Sequence, residues 1–231
     1  MPRPSSLTLL AELAQDQWGL VTRRQLVDAG IGSTTLERLV GPSGALERVA
    51  WGVYQLAGTP APGQRDLRAA WLQLAPETPA WDRTAAQGVV SHRSAAALYG
   101  LGHLPADQHE FTVPHRHQTR RPDVRIHVRP VGDDEWARVD GLPVTRPRRI
   151  ATDLVRTRED PEAIAQVIAE AIRRGYDSPD GFATALAPHA MPYGFRQSDG
   201  VALLRWLLDL TGDPERSRWT DEARAQKGTR S

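Results

Sequence analysis

Residues 21–40, VTRRQLVDAGIGSTTLERLV, carry two helix-start signals on either side of a Gly-Ile-Gly turn, and a chain that reverses this tightly between short helices has few ways to fold. Thr22 and Gln25 have the spacing of a capping box, Leu26 and Val27 supply the buried face that follows, and Gly30 ends the helix where a left-handed residue is needed. Ser33 or Thr34 caps a third helix running to Val40, with Leu36, Leu39 and Val40 as its inner stripe. Upstream, Leu10, Leu13, Ala14 and Trp18 recur at helical spacing, which predicts a first helix over residues 6–17 stopped by Gly19. Downstream, LERVAWGVYQLAG (46–58) holds two runs of strand formers joined at Trp51-Gly52, the pattern of a hairpin. Three helices and a hairpin make a winged helix-turn-helix, in which the third helix enters the major groove and the wing rides on phosphates.

The direction of the polar groups gives this unit its chemistry. With the apolar stripe inward, Thr35 and Arg38 project outward, and Ser33 and Thr34 stand at the helix start. These are hydroxyls for phosphate and one arginine for a base edge. Arg23 and Arg24 in the preceding helix and Arg48 in the wing are phosphate contacts, and Trp51 at the hairpin tip is a base-stacking or protein anchor. The alternative is a protein-interaction module with a degenerate winged helix, because residues 1–58 balance five arginines against five acids.

The whole chain is similarly balanced, with 29 Lys plus Arg against 28 Asp plus Glu, so any basic surface must be local. No cysteine occurs, which excludes disulfides, thiol catalysis and cysteine-ligated zinc. No apolar run approaches the roughly 20 residues of a membrane span, and the start lacks a signal-type stretch, so a soluble cytoplasmic protein is expected.

At 231 residues the chain suits two domains. The first spans 1–58, TPAPG (59–63) is a linker, an α+β domain covers 64–212, and the charged, weakly apolar residues 213–231 form a disordered tail. The expected fold class is therefore α+β: a winged helix-turn-helix, then a mixed domain with a small β-sheet and a helical C-terminal part. Within the second domain a helix is expected over 65–75 and an irregular surface loop over 76–88, followed by a helix capped by Ser91. EFTVP, VRIHV and VDGLPVTRP read as strands, and helices are expected over 148–155, 161–174, 179–186 and 200–210.

No catalytic residue, metal site or cofactor is expected. His115 and His117 share a face only if extended, and no carboxylate completes a site with them at helical spacing. Asp133, Asp134 and Glu135 point in different directions and read as a solvated turn or helix start. Ser91 and His92 are adjacent in sequence, which does not make them a dyad. Asp153 lies within a helix, free to cap, pair with an arginine or bind a partner. The richest basic stretch is residues 115–130, where Arg116, Arg120, Arg121, Arg125 and Arg129 face Asp123 alone, five minus one giving +4, and Arg146, Arg148 and Arg149 extend it. Arg125, His127 and Arg129 alternate onto one strand face while Val124, Ile126 and Val128 pack inward. This second patch suits nucleic acid, a phosphorylated ligand or an acidic protein, or else pairs with nearby acids.

VTRRQLVDAG, TTLERLV, ALERVAWGVYQLAG, VVSHRSAAALYGLG and DGLPVTRPRRIATDLV, in this order over about residues 8–210, resemble the AbiEi family of antitoxins from type IV toxin-antitoxin systems. The resemblance implies a winged helix that binds inverted repeats of double-stranded DNA in its own promoter and represses it. It also implies a C-terminal domain that neutralises a nucleotidyltransferase-like toxin, directly or through a shared target. Ser33 to Val40 match the family's recognition helix and Arg48 a wing arginine; Trp51 stands where members often carry a basic residue. No membrane partner is implied, and the protein is expected as a monomer or weak dimer. A nuclease-related protein is the remaining alternative; the chain's only lysine, Lys227, lies outside any spaced acid-x-lysine set.

Overall fold

The computed structural model describes residues 6–41 and 44–229. The N-terminal unit runs α1 (Ser6–Gln15), β1 (Leu20–Thr22), α2 (Arg23–Asp28), α3 (Ser33–Leu39), β2 (Leu46–Ala50) and β3 (Val53–Leu56). Thr22 caps α2 through the capping box with Gln25, and Gly30 turns the chain at φ +86°. Leu10, Leu26, Leu36, Leu39, Leu46 and Tyr54 close a small core beneath the three helices. The hairpin pairs Leu46 with Leu56 and Arg48 with Tyr54, shifts register between Arg48 and Ala50, and turns at Gly52. β1 joins β3 antiparallel, so the wing is a three-stranded sheet in the order β1-β3-β2.

Two expectations for this unit are corrected. Val27 is 47% exposed, because the tight turn after Gly30 leaves Leu26 alone facing the core. Gly32, not Ser33 or Thr34, occupies the N-cap of α3, so the helix starts at Ser33 and its first hydroxyls are released from capping.

The second unit follows with α4 (Arg65–Leu72), β4 (Val89–Val90), α5 (His92–Tyr99), β5 (His109–Val113), β6 (Val124–Val128), β7 (Trp136–Val139) and β8 (Leu142–Thr145). A helical layer completes it: α6 (Pro147–Arg156), α7 (Pro161–Arg173), α8 (Pro179–Leu186), α9 (Gly200–Thr211) and α10 (Arg216–Thr229). The sheet order is β6-β5-β4-β8-β7, with β5/β6 and β4/β8 parallel and the other pairs antiparallel. Of the residues expected as a disordered tail, Arg216–Thr229 are thus helical. Trp219 and Ala223, four apart, are 1% and 0% exposed on the face that meets α8 and α9, and burying one indole outweighs the polarity of the other positions.

Residues 76–88, expected as a surface loop, contain the fully buried Arg83. Its guanidinium donates to the carbonyls of Trp71 (2.7 Å), Leu72 (2.8 Å), Thr78 (2.9 Å) and Ala75, and stacks 4.4 Å over the Trp71 ring. The Leu72 carbonyl is one that the end of α4 leaves without a backbone partner, and the Trp71 carbonyl also accepts from the Leu74 amide. The segment so fixed is the one that holds the two units together. Thr22 Oγ1 donates to the Pro76 carbonyl, Gln17 Oε1 accepts from the Ala80 amide (2.9 Å), and the buried Gln17 and Gln25 amides bond each other. Trp18 donates to the Asp140 carbonyl (3.1 Å) beneath the Arg68 guanidinium, and a Cβ at Gly141 would lie 3.0 Å from its ring. Leu20 and Val53 of the first unit accordingly belong to the core of the second.

Arg83→Met keeps most of the volume but removes the donor to the Leu72 carbonyl and one of two donors to the carbonyls of Trp71 and Ala75, along with the stacking on Trp71. It is expected to lower unfolding free energy by about 3–5 kcal/mol in chemical denaturation, and a loss under ~1 kcal/mol would disprove this role.

Candidate nucleic-acid interface and a buried polar cluster

On α3, Leu36 and Leu39 are buried while Ser33, Thr34 and Arg38 are exposed and Thr35 is half-buried, so one face of the helix is apolar and anchored and the other is polar and free. Arg23 and Arg24 are exposed in the first turn of α2; Arg24 pairs with Asp28 at 3.2 Å, a solvent-screened contact of little strength. Arg48 stands over its cross-strand neighbour Tyr54, 6.0 Å from the ring centroid, which orders its stem without consuming its charge. These residues occupy one body whose core fixes their spacing.

Trp51 is 81% exposed at the hairpin tip, held through its carbonyl by Gln73 Nε2 of α4 (2.7 Å). A cleft of about 410 Å³ on one side is lined by Arg23, Arg24, Val27 and Pro76. A second, of about 440 Å³, is lined by Leu74 and the basic loop from His117 to Arg121. The wing tip therefore sits between the arginines of the first unit and those of the second. Arg116 and Arg120 are exposed in that loop, whereas Arg121 is occupied by Asp123 and by Gln73 (2.9 Å).

The extension through Arg148 and Arg149 is corrected, because both are turned away into ion pairs. Arg149 is buried, bonding Asp153 (2.9 Å), Glu135 and the Pro130 carbonyl (3.3 Å), and Arg148 faces Asp177 at 3.4 Å. Asp153 also accepts from Arg156 at 3.1 Å, so it pairs with two arginines; burial still raises its pKa against them. Glu135, expected in a solvated turn, reaches back through Gly132 to hold the Arg149 side. Along β6 only Arg125 and Arg129 are exposed from the expected face, for His127 is half-buried, and Val128 is 50% exposed on the other.

His127 is covered because α5 begins over it. His127 Nε2 lies 2.6 Å from Glu110 Oε2, and its ring stacks on His92 with centroids 3.5 Å apart and planes 14° from parallel. Ser91 does not cap α5 with its side chain; its hydroxyl lies 2.9 Å from His92 Nδ1 and accepts from Thr112 Oγ1 at 2.9 Å. Ser91 and His92 thus do meet, inside a cluster that also contains Glu110 and Thr112. Burial first, then the charges of His127, Arg125, Arg149 and Arg156, push His92 down to about 2, so the ring is neutral. No local pattern in the sequence marks this cluster, since its members are 18 and 17 residues apart at positions 92, 110 and 127. The usable signal was alternation: Glu110 and Thr112 share a face of β5, and the register sets Thr112 opposite His127.

Two family models match the chain. Residues 9–57 match the model described as a transcriptional regulator, AbiEi antitoxin, and residues 86–174 match the AbiEi antitoxin C-terminal domain. No curated protein matches.

His92, Glu110, His127, Arg149 and Asp153 all fall in the second matched span. Asp153→Ala leaves Arg149 buried beside a vacated partner and is expected to destabilise by about 3–5 kcal/mol. Arg148→Ala, which removes a more exposed pair, is expected to change stability by less than ~1 kcal/mol. Equal losses in parallel denaturation curves would remove the distinction.

Proposed function

Because the chain belongs to the AbiEi antitoxin family in both of its units, we propose that it represses its own operon by occupying inverted repeats in the promoter, and that its second domain neutralises a nucleotidyltransferase-like toxin encoded beside it. The observation that carries the repressor half is the division of α3 into a buried Leu36/Leu39 face and an exposed Ser33, Thr34, Arg38 face, flanked by Arg23, Arg24 and Arg48. In this reading Arg38 reads a base edge, the Ser33 to Thr35 hydroxyls and the flanking arginines position phosphate, and Trp51 stacks on what lies at the wing tip. Arg120, across Trp51 from Arg23 and Arg24, and the exposed Arg116 near it in sequence add phosphate contacts from the second domain. Two copies read two half-sites about one helical turn apart, and repression follows by occlusion. The family is a regulatory one, no helix among the described residues is long and apolar enough to cross a membrane, and the protein acts in the cytoplasm, where its operator lies.

The exposure of Trp51 and Val27 beside one another favours a second reading, a docking module for a protein partner. Footprinting on the upstream region separates the two: protection of paired half-sites supports the repressor, and unprotected DNA at every salt concentration supports docking.

Arg38→Ala is expected to weaken operator binding by roughly 1–3 kcal/mol and to relax preference at one base position. Arg48→Ala is expected to weaken all DNA equally and flatten the slope of log affinity against log salt by about one. If gel-shift titrations give both variants wild-type affinity and slope, the assigned roles are wrong.

A further inference from the structure

His92, Glu110 and His127 form the one group among the described residues whose ligand atoms could surround a single cation, all lying within 4.8 Å of one another. We propose that these three residues bind a divalent transition metal, zinc foremost, in the second domain. This goes beyond the regulatory reading and does not depend on it.

The donor set selects the ion. Two imidazoles and one carboxylate are the ligands of many zinc and non-haem iron sites, whereas calcium and magnesium call for more oxygens. At bond lengths of about 2.0–2.2 Å the donors of a tetrahedral shell stand roughly 3.4 Å apart, so modest contraction of the present group closes one. Glu110 Oε2 and His127 Nε2, at 2.6 Å, need only part slightly to admit a cation in place of the hydrogen between them. The two stacked rings must also tilt, because lone pairs in near-parallel planes do not converge.

The backbone that carries the ligands is built to hold them. The start of α5 is stitched to β5: the Ser91 amide donates to the Glu110 carbonyl (3.0 Å), and Ser94 Oγ accepts from the Glu110 amide (2.9 Å) while donating to the Gln108 carbonyl (3.0 Å). His92 is held there at φ +52°, a left-handed conformation unfavourable for a non-glycine residue, and such strain persists where surrounding structure enforces it. Ser91 Oγ engages His92 Nδ1 and is itself held by Thr112, the outer-shell arrangement that orients a ligating histidine and leaves Nε2 as its donor. Three protein ligands leave a fourth position for water or an anion.

The test uses full-length, tag-free protein, treated with chelator and titrated with Co²⁺. Visible d–d absorption saturating near one equivalent, and bleached by added Zn²⁺, is expected. Glu110→Gln and His127→Ala should each weaken Co²⁺ at least ~10–100-fold, the loss that an outer-shell partner alone causes. A His115→Ala/His117→Ala double variant should keep the band, since that pair, exposed at His115 and half-buried at His117, is the adventitious alternative. Circular dichroism establishes that each variant is folded, and the wild-type titration stands without them. No saturable band in the wild type, or a band lost with His115 and His117 but kept without His127, overturns the proposal.

Discussion

Arg83 lies fully buried with carbonyls, not a carboxylate, as its hydrogen-bond partners, and the relation between the two units follows from how its charge is satisfied. Burial pulls its pKa down to about 10, which still leaves it charged at neutral pH. A buried cation is tolerated only where dipoles replace water, and here they come from the C-terminal end of α4, whose partial negative charge suits a guanidinium. Meeting that need draws residues 75–78 into one fixed shape. Pro76 and Thr78 of this segment receive Thr22 and Gln25, the pair that starts the second helix of the winged unit, and Ala80 just beyond it meets Gln17. The capping box therefore has two duties, to begin α2 and to seat the first unit on the second.

That joint matters for a surface with so little net charge. Five arginines against five acids in residues 1–58 give no field to draw DNA from a distance, so affinity rests on where individual guanidinium groups stand. The core beneath α3 sets one group of them, the Tyr54 face sets Arg48, and the seating on residues 76–80 sets the basic loop of the second unit relative to both. Arginines that arrive already positioned lose less freedom on binding than arginines on a swinging domain.

Local chemistry was legible in the sequence, and distant pairing was not. Thr22 with Gln25, Gly30 and the Trp51-Gly52 tip each declare themselves within a few residues, and the structure has them as read. Val27, Arg83 and Trp219 went astray for one reason: exposure is decided by what packs opposite, and residues 76–88 and 213–231 look polar until their single large buried side chain finds its place. Arg149 shows the same limit in a different form. Read along the chain it enlarges a basic patch; in the fold it is consumed by Asp153 and Glu135, and the patch shrinks to the exposed Arg116, Arg120, Arg125 and Arg129.

The arginines of the second domain thus divide into two populations with different physics. Those at the wing tip are exposed, so any interaction they make with a charged partner is one that salt erodes. Those around Asp153 are buried with their acids and are nearly indifferent to salt, but each partner is needed because a lone charge left in that environment is far costlier than the pair. His92, Glu110 and His127 adjoin the second population, so whatever occupies the cluster meets a rigid, prearranged field. Ionic strength therefore acts strongly on the first population and weakly on the second.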